Sequence, residues 1–230
     1  QGISGLRVAV IEGDDLRENL RGLQTQQWGE EKPLDLANTD ILAANVYMGS
    51  KPIAEAIDLN PHIVVTGRVT DSALTLGPLM HHFGWATDDW DMMAAGVLAG
   101  HLLECGSQIT GGYHADPGRK NVTRMAEIGF PIAEVQEDGS LIITKPEGSG
   151  GVVNTRTVKE QILYELDDPS CYLTPDVTLD ISEVVVEQIG PNRVRVNGAK
   201  GKPAPDTWKV TISVDGGWLG AGERSYAGPN

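Results

Sequence analysis

The sequence predicts an α/β fold: a layered, largely parallel sheet with helices on both faces, followed by a β-rich, antiparallel C-terminal portion. Three observations predict it. In the first half, short β-branched runs alternate with segments of helical length and periodicity. The runs end in glycine or in polar clusters, as strands of open parallel sheets do where they meet a ligand crevice. Beyond Asp167 the pattern changes to short strand-like runs separated by Gly, Pro and Asn, the grammar of an antiparallel meander.

Taken in order, residues 6–11 read as a strand, 14–23 as a helix, 40–46 as a strand, 52–59 as a helix and 63–66 as a strand. Parallel neighbours need crossovers, and helices of this length supply them. Pro52 suits a first helical turn and Pro61 follows the end of that helix. Residues 71–83 and 88–109 read as helices, the second so dense in small and apolar side chains that it is expected to be central or to pack against a second subunit. A helix over 121–128, strands over 132–135 and 141–144 around a turn, and an amphipathic helix over 155–166 follow. Strands are expected over 184–189, 193–196, 209–214 and 218–219. Residues 1–170 are therefore expected to form the α/β core, lacking an N-terminal part because the chain opens on Gln1 and runs at once into a strand. Residues 171–230 are expected to be a β-rich extension of that core or a small subdomain.

The chain has 230 residues and a formal charge of -14, enough length for one large core. Its surplus of carboxylates repels nucleic-acid phosphates, and no basic stripe opposes that, so nucleic-acid binding is excluded from the expectations. No run is long and apolar enough to span a bilayer, and Cys105 and Cys171 do not suggest a disulfide framework. A cytoplasmic protein without a membrane partner, acting on a small molecule as a homo-oligomer, is expected.

Chemistry is expected where strand 63–66 ends. Gly67 allows a tight exit, and Arg68 and Asp71 leave the strand end together with Thr70 and Ser72, any of which except Arg68 can also cap the next helix. Asp14, Asn45 and Tyr47 end the two earlier strands on the same edge and line one rim with them. Glu12, Asp14 and Asp15 surround Gly13, so they can hold Mg²⁺, accept from ligand hydroxyls or only cap a helix. No metal is the favoured expectation.

The long helix carries His101, Glu104 and Cys105. Residues four apart share a helical face, so His101 and Cys105 can form a dyad whose imidazolium lowers the thiol pKa, with Asp71 or His101 moving a proton; a buried, inert Cys105 is the plain alternative. Downstream, a glycine-rich turn presents His114 and Asp116. The loop from Lys145 through Gly148, Ser149, Gly150 and Gly151 precedes the helix at 155, and its N–H groups with that helix N-terminus can hold a phosphate or carboxylate. It has neither a Walker ending nor a Rossmann spacing.

Several stretches resemble one family. They are Val8-Ala-Val-Ile-Glu-Gly-Asp-Asp15, Val65-Thr-Gly-Arg-Val-Thr-Asp-Ser-Ala-Leu-Thr-Leu-Gly-Pro78, the helix from Ala94 to Gly106, Thr110-Gly-Gly-Tyr113, Gly129-Phe-Pro-Ile-Ala-Glu-Val135, Thr144-Lys-Pro146 and Tyr172-Leu-Thr-Pro-Asp-Val177. Together they are similar to the core domain of the acyclic terpene utilisation family. The resemblance implies bacterial catabolism of citronellol and geraniol, in which branched isoprenoid acids are processed as CoA thioesters. It implies no particular reaction. The expected function is thus an enzyme acting on an acyl-CoA or related carboxylate by hydratase, lyase or hydrolase chemistry, with a CoA thioester as substrate and no other cofactor. The alternative is a non-catalytic ligand-binding or assembly subunit of an acyl-CoA-processing complex.

Overall fold

The computed structural model describes residues 4–23 and 35–225. Along the chain the elements are β1 (Val8–Ile11), β2 (Ile41–Val46), α1 (Lys51–Asp58), β3 (Ile63–Thr66), α2 (Ala73–Phe83), α3 (Trp90–Glu104), β4 (Ile132–Val135) and β5 (Leu141–Thr144). Then come α4 (Thr155–Ile162), β6 (Tyr172–Leu173), β7 (Thr178–Asp180), β8 (Val185–Gly190), β9 (Arg193–Asn197), β10 (Lys200–Lys202) and β11 (Val210–Val214).

The fold is mixed α/β, and its sheets are small. The β-branched runs of β1 and β3 pair in parallel, Val8 opposite Ile63 and Val10 opposite Val65. An isolated parallel bridge between Met48 and Val69 carries the alignment beyond the strand ends. The expected largely parallel sheet is otherwise corrected. Among the described residues the other ladders are antiparallel: β4-β5-β9-β8, β10-β7-β6 and β11-β2. The reason is a long-range one. β2 takes its ladder partner from β11, more than 160 residues away in sequence, and local periodicity says nothing about such a choice.

The helix expected over 14–23 shrinks to a single 3-10 turn, Leu20–Gly22. Asp15 bridges Asn45, and the Leu16 N–H donates to the Ala44 carbonyl at 2.8 Å, so residues 14–16 are tied to β2 and only the short turn from Leu16 to Gly22 is left to coil. The helix expected over 121–128 is likewise only a 3-10 turn, Met125–Glu127, entered through a left-handed Arg124 at φ 53°. No strand forms at 218–219, where Trp218 and Leu219 stand exposed.

The core forms around α3, whose Met93, Val97, Leu98 and Leu102 are buried together with Leu76, Ile143, Val158, Leu179 and Val196. Each such aliphatic side chain contributes roughly 1.5–3 kcal/mol by leaving water. The small residues of α3 are used inside the chain, against α2. At Gly100 an added Cβ would come within 2.6 Å of Ser72 Cα and 2.7 Å of its carbonyl oxygen; the two backbones touch. This contact sets the angle at which the start of α2 meets the end of α3.

A second anchor lies at α1. Asp176 accepts from the Ser50 N–H at 2.8 Å and its hydroxyl at 2.7 Å, and Gly49 leaves room for that carboxylate. Burial pushes the Asp176 carboxyl above its usual value, against the two Ser50 hydrogen bonds, and its Oδ2 has no partner.

Because the displaced atoms at Gly100 are backbone, Gly100→Ala is expected to lower stability by about 1–3 kcal/mol despite the better helix propensity of alanine. Urea denaturation of the two proteins checks this; equal midpoints would mean that α2 and α3 can separate freely.

Candidate active site

The carboxyl ends of β1, β2 and β3 meet at Asp14. Its Oδ2 accepts from the Arg68 N–H at 2.9 Å and from the Asn45 side-chain amide at 2.8 Å. The Arg68 N–H, outweighing a modest burial effect, and the Asn45 amide hold the Asp14 carboxyl below its usual value. Gly67 is required there, because any Cβ would overlap the Asp14 carboxylate. Arg68 then sends its guanidinium over the Tyr47 ring, 5.1 Å from the centroid, and stands 3.9 Å from Asp71. Thr70 donates its N–H to Met48, leaving its hydroxyl buried without a partner, and Ser72 is buried at the crossing with α3.

From that rim a cleft of about 460 Å³ opens between the start of α2, the end of α3 and the segment after α4. Asp71, Glu104, Glu165, Cys105, Leu74 and Leu103 are among its walls. Three of the side chains expected to carry chemistry, Asp71, Glu104 and Cys105, therefore share one hollow. His101 sits behind it, 1% exposed, with Nδ1 at 3.1 Å from Glu104 Oε1 and Nε2 at 3.2 Å from the Ile162 carbonyl. A carbonyl only accepts, so the Nε2 contact calls for an N–H there and leaves Nδ1 facing the Glu104 carboxyl.

The expected dyad between His101 and Cys105 is not formed, since both ring nitrogens are engaged elsewhere. Burial pushes the Cys105 thiol up, and Glu104, Glu165 and Asp71 add to this against a hydrogen bond from Gln161. That is the opposite of an activated nucleophile. Tyr172, its ring 5.7 Å from that of His101, is pushed up to about 12 by burial and then by Glu104, Asp71 and Glu165. Tyr164, on the cleft wall, is raised by hydrogen bonds with Tyr113 and Glu165. The sequence reading assigned no role to Glu165, Tyr164 or Tyr172. Of these only Tyr172 carried a signal, at the head of a family-like stretch.

Other expected residues lie apart from the cleft. His114 is buried and bonded to Glu160 at 2.9 Å, with Lys120 on the same carboxylate at 3.0 Å. Asp116 pairs its backbone with Lys120. In the glycine-rich loop, Lys145 donates to the Ser149 carbonyl at 2.7 Å and lies 3.2 Å from its hydroxyl. The N–H groups of Ser149, Gly150 and Gly151 donate to Pro146, Glu127 and Thr123, while Gly148 supplies the left-handed turn at φ 74°. Asn154 takes the first N–H groups of α4. The donors expected to meet an anion are thus spent inside the protein, because the loop packs on residues 123–129. Asp15 turns to Arg17 at 2.7 Å while Asp14 faces Arg68, so they do not converge with the exposed Glu12 on one point. Among the described residues no group of three or more His, Cys, Asp or Glu side chains is placed to hold a metal ion. Nor is any helix among them long and apolar enough to cross a membrane.

A mixed α/β chain with an acid-lined cleft between helix ends defines only a broad class. The family comes from comparison: the model of the acyclic terpene utilisation family, described as acyclic terpene utilisation family protein AtuA, matches residues 1–230, and the chain belongs to that family. No curated protein and no solved structure matches it.

The raised Cys105 thiol has a chemical consequence. At neutral pH iodoacetamide is expected to alkylate the exposed Cys171 first and Cys105 only as the pH is raised or the fold is lost, which peptide mass spectrometry over time reads directly. Labelling of Cys105 ahead of Cys171 would restore a reactive thiol to the cleft.

Proposed function

We propose that the chain is a catabolic enzyme acting on a branched acyl-CoA or related carboxylate, with the cleft between α2, α3 and the segment after α4 as its site. One observation carries this reading: Asp71 and Glu104 face one hollow, backed by the buried His101 bonded to Glu104. Glu104, held by His101, and Asp71 are the two groups that exchange protons with the substrate in this reading. Leu74 and Leu103 offer an apolar wall to a hydrocarbon chain. Hydration, carbon–carbon cleavage and hydrolysis share this need for a paired donor and acceptor, and such a pair is worth roughly 10²–10⁴-fold in rate.

Asp71→Asn and Glu104→Gln are each expected to lower kcat about 10²-fold on isoprenoid acyl-CoA thioesters, with unchanged circular dichroism. The reading fails if wild type turns over none of these thioesters, or if both variants match it.

The assembly-subunit reading draws on a different observation. Leu6, Val8, Val10, Ile63 and Val65 line one face of the β1–β3 pair and are 45–61% exposed, although parallel sheets are normally covered on both faces. A second copy of the chain packed on this face would cover it. Sedimentation is then expected to show an oligomer that Val10→Asp dissociates; a monomeric wild type removes this reading.

A further inference from the structure

We propose that Arg68, Tyr47 and Lys209 form a subsite for a phosphate-bearing anion at the edge of the cleft. The inference rests on the reading of the cleft as a substrate site and names what holds the substrate's charged head. Three segments build it: Tyr47 follows β2, Arg68 follows β3, and Lys209 precedes β11. Arg68 Cζ lies 5.1 Å and Lys209 Nζ 4.9 Å from the centroid of the Tyr47 ring. The ring itself is held in place. The Tyr47 N–H donates to the Lys209 carbonyl at 3.0 Å, and its hydroxyl lies 3.2 Å from Thr211 Oγ1.

Two cations at one ring need a reason in a chain with 32 acidic against 18 basic residues. Several basic side chains elsewhere find carboxylates: Arg193 meets Glu134 at 2.6 Å, Lys200 meets Asp91 at 2.8 Å and Lys202 meets Asp180 at 3.1 Å. Arg68 comes no nearer than 3.9 Å to Asp71, and Lys209 has no acid partner among the described residues. The negative face of the ring attracts both cations, which accounts for their positions. It leaves their N–H donors unfilled, within roughly 10 Å of each other, about one Debye length at 0.1 M salt. An anion rich in oxygen takes those donors and removes the mutual repulsion.

The location agrees with the chemistry. The subsite stands beyond the carboxyl end of β3, the strand paired in parallel with β1, and ligands of parallel sheets bind at such ends. Asp71 belongs both to the rim, through Arg68, and to the cleft wall. Because Asp71, Glu104 and Glu165 repel a phosphate from the cleft, the charged head stays at Arg68 and Lys209 while the neutral part of the substrate passes Leu74 and Leu103.

Calorimetric titration with coenzyme A, 3′,5′-adenosine diphosphate, pantetheine and an isoprenoid carboxylate tests this. Wild type is expected to bind the two phosphate probes, increasingly weakly as salt rises, and to bind pantetheine no better than buffer. Lys209→Glu should weaken them about tenfold or more, and Lys209→Arg should restore them. Lys209 is exposed and its ammonium makes no hydrogen bond among the described residues, so circular dichroism of Lys209→Glu should match wild type. Failure of both phosphate probes to bind, or equal binding by Lys209→Glu, overturns the subsite; carboxylate binding that alone depends on Lys209 overturns its assignment to phosphate. Turnover with an unchanged KM in Lys209→Glu removes the subsite and keeps the enzyme, whereas Lys209-dependent phosphate binding without turnover does the reverse.

Discussion

The Asp14 carboxylate is the constraint from which the site follows. It belongs to the end of β1 and accepts from the end of β2, through Asn45, and from the end of β3, through the Arg68 N–H. β2 has no ladder with either of those strands, since its partner is β11. Two backbone bonds, from Val46 to Asp14 and from Leu16 to Ala44, reinforce the join. Anchoring the Arg68 backbone in this way determines where α2 begins. That start, at Ser72, presses on Gly100, and four residues further along α3 stands Glu104. One carboxylate on a loop is thus linked through backbone contacts to the position of another in the cleft.

The charges divide along the same line. Cations collect at the rim around Tyr47, and carboxylates collect in the hollow beyond Asp71. Within the hollow their field keeps protons on neighbouring groups: both the Cys105 thiol and the Tyr172 phenol are raised by burial first and by Glu104, Asp71 and Glu165 after it. Such a pocket favours neutral or developing positive charge and opposes a thiolate or phenolate.

Much of this was legible in local sequence. The strands β4 and β5 fall on their expected residues, as do β2, β3, β9 and β11 to within a residue or so, because alternation and flanking turns are short-range signals. The convergence of Asp14, Asn45, Arg68 and Asp71 followed from the rule that loops at strand carboxyl ends gather. What failed was long-range. Nothing near β2 announces β11, and nothing in residues 14–23 shows that Asn45 and Ala44 will hold Asp15 and Leu16 against β2. At the site, the His101–Cys105 spacing was helical but competed with Glu104 three residues away and with the Ile162 carbonyl, which only tertiary packing brings near. Lys209 and Glu165 were silent because their significance lies wholly in their neighbours.

The Arg68 backbone amide reports on the central join most directly. In a pH titration followed by nuclear magnetic resonance, its proton is expected to resonate downfield while Asp14 is ionised. It should then move upfield in one step whose midpoint lies below the usual carboxylate value, in keeping with the lowered Asp14 carboxyl. An Arg68 amide indifferent to acid, or one that shifts with an ordinary carboxylate midpoint, would mean that Asp14 does not tie the strand ends together.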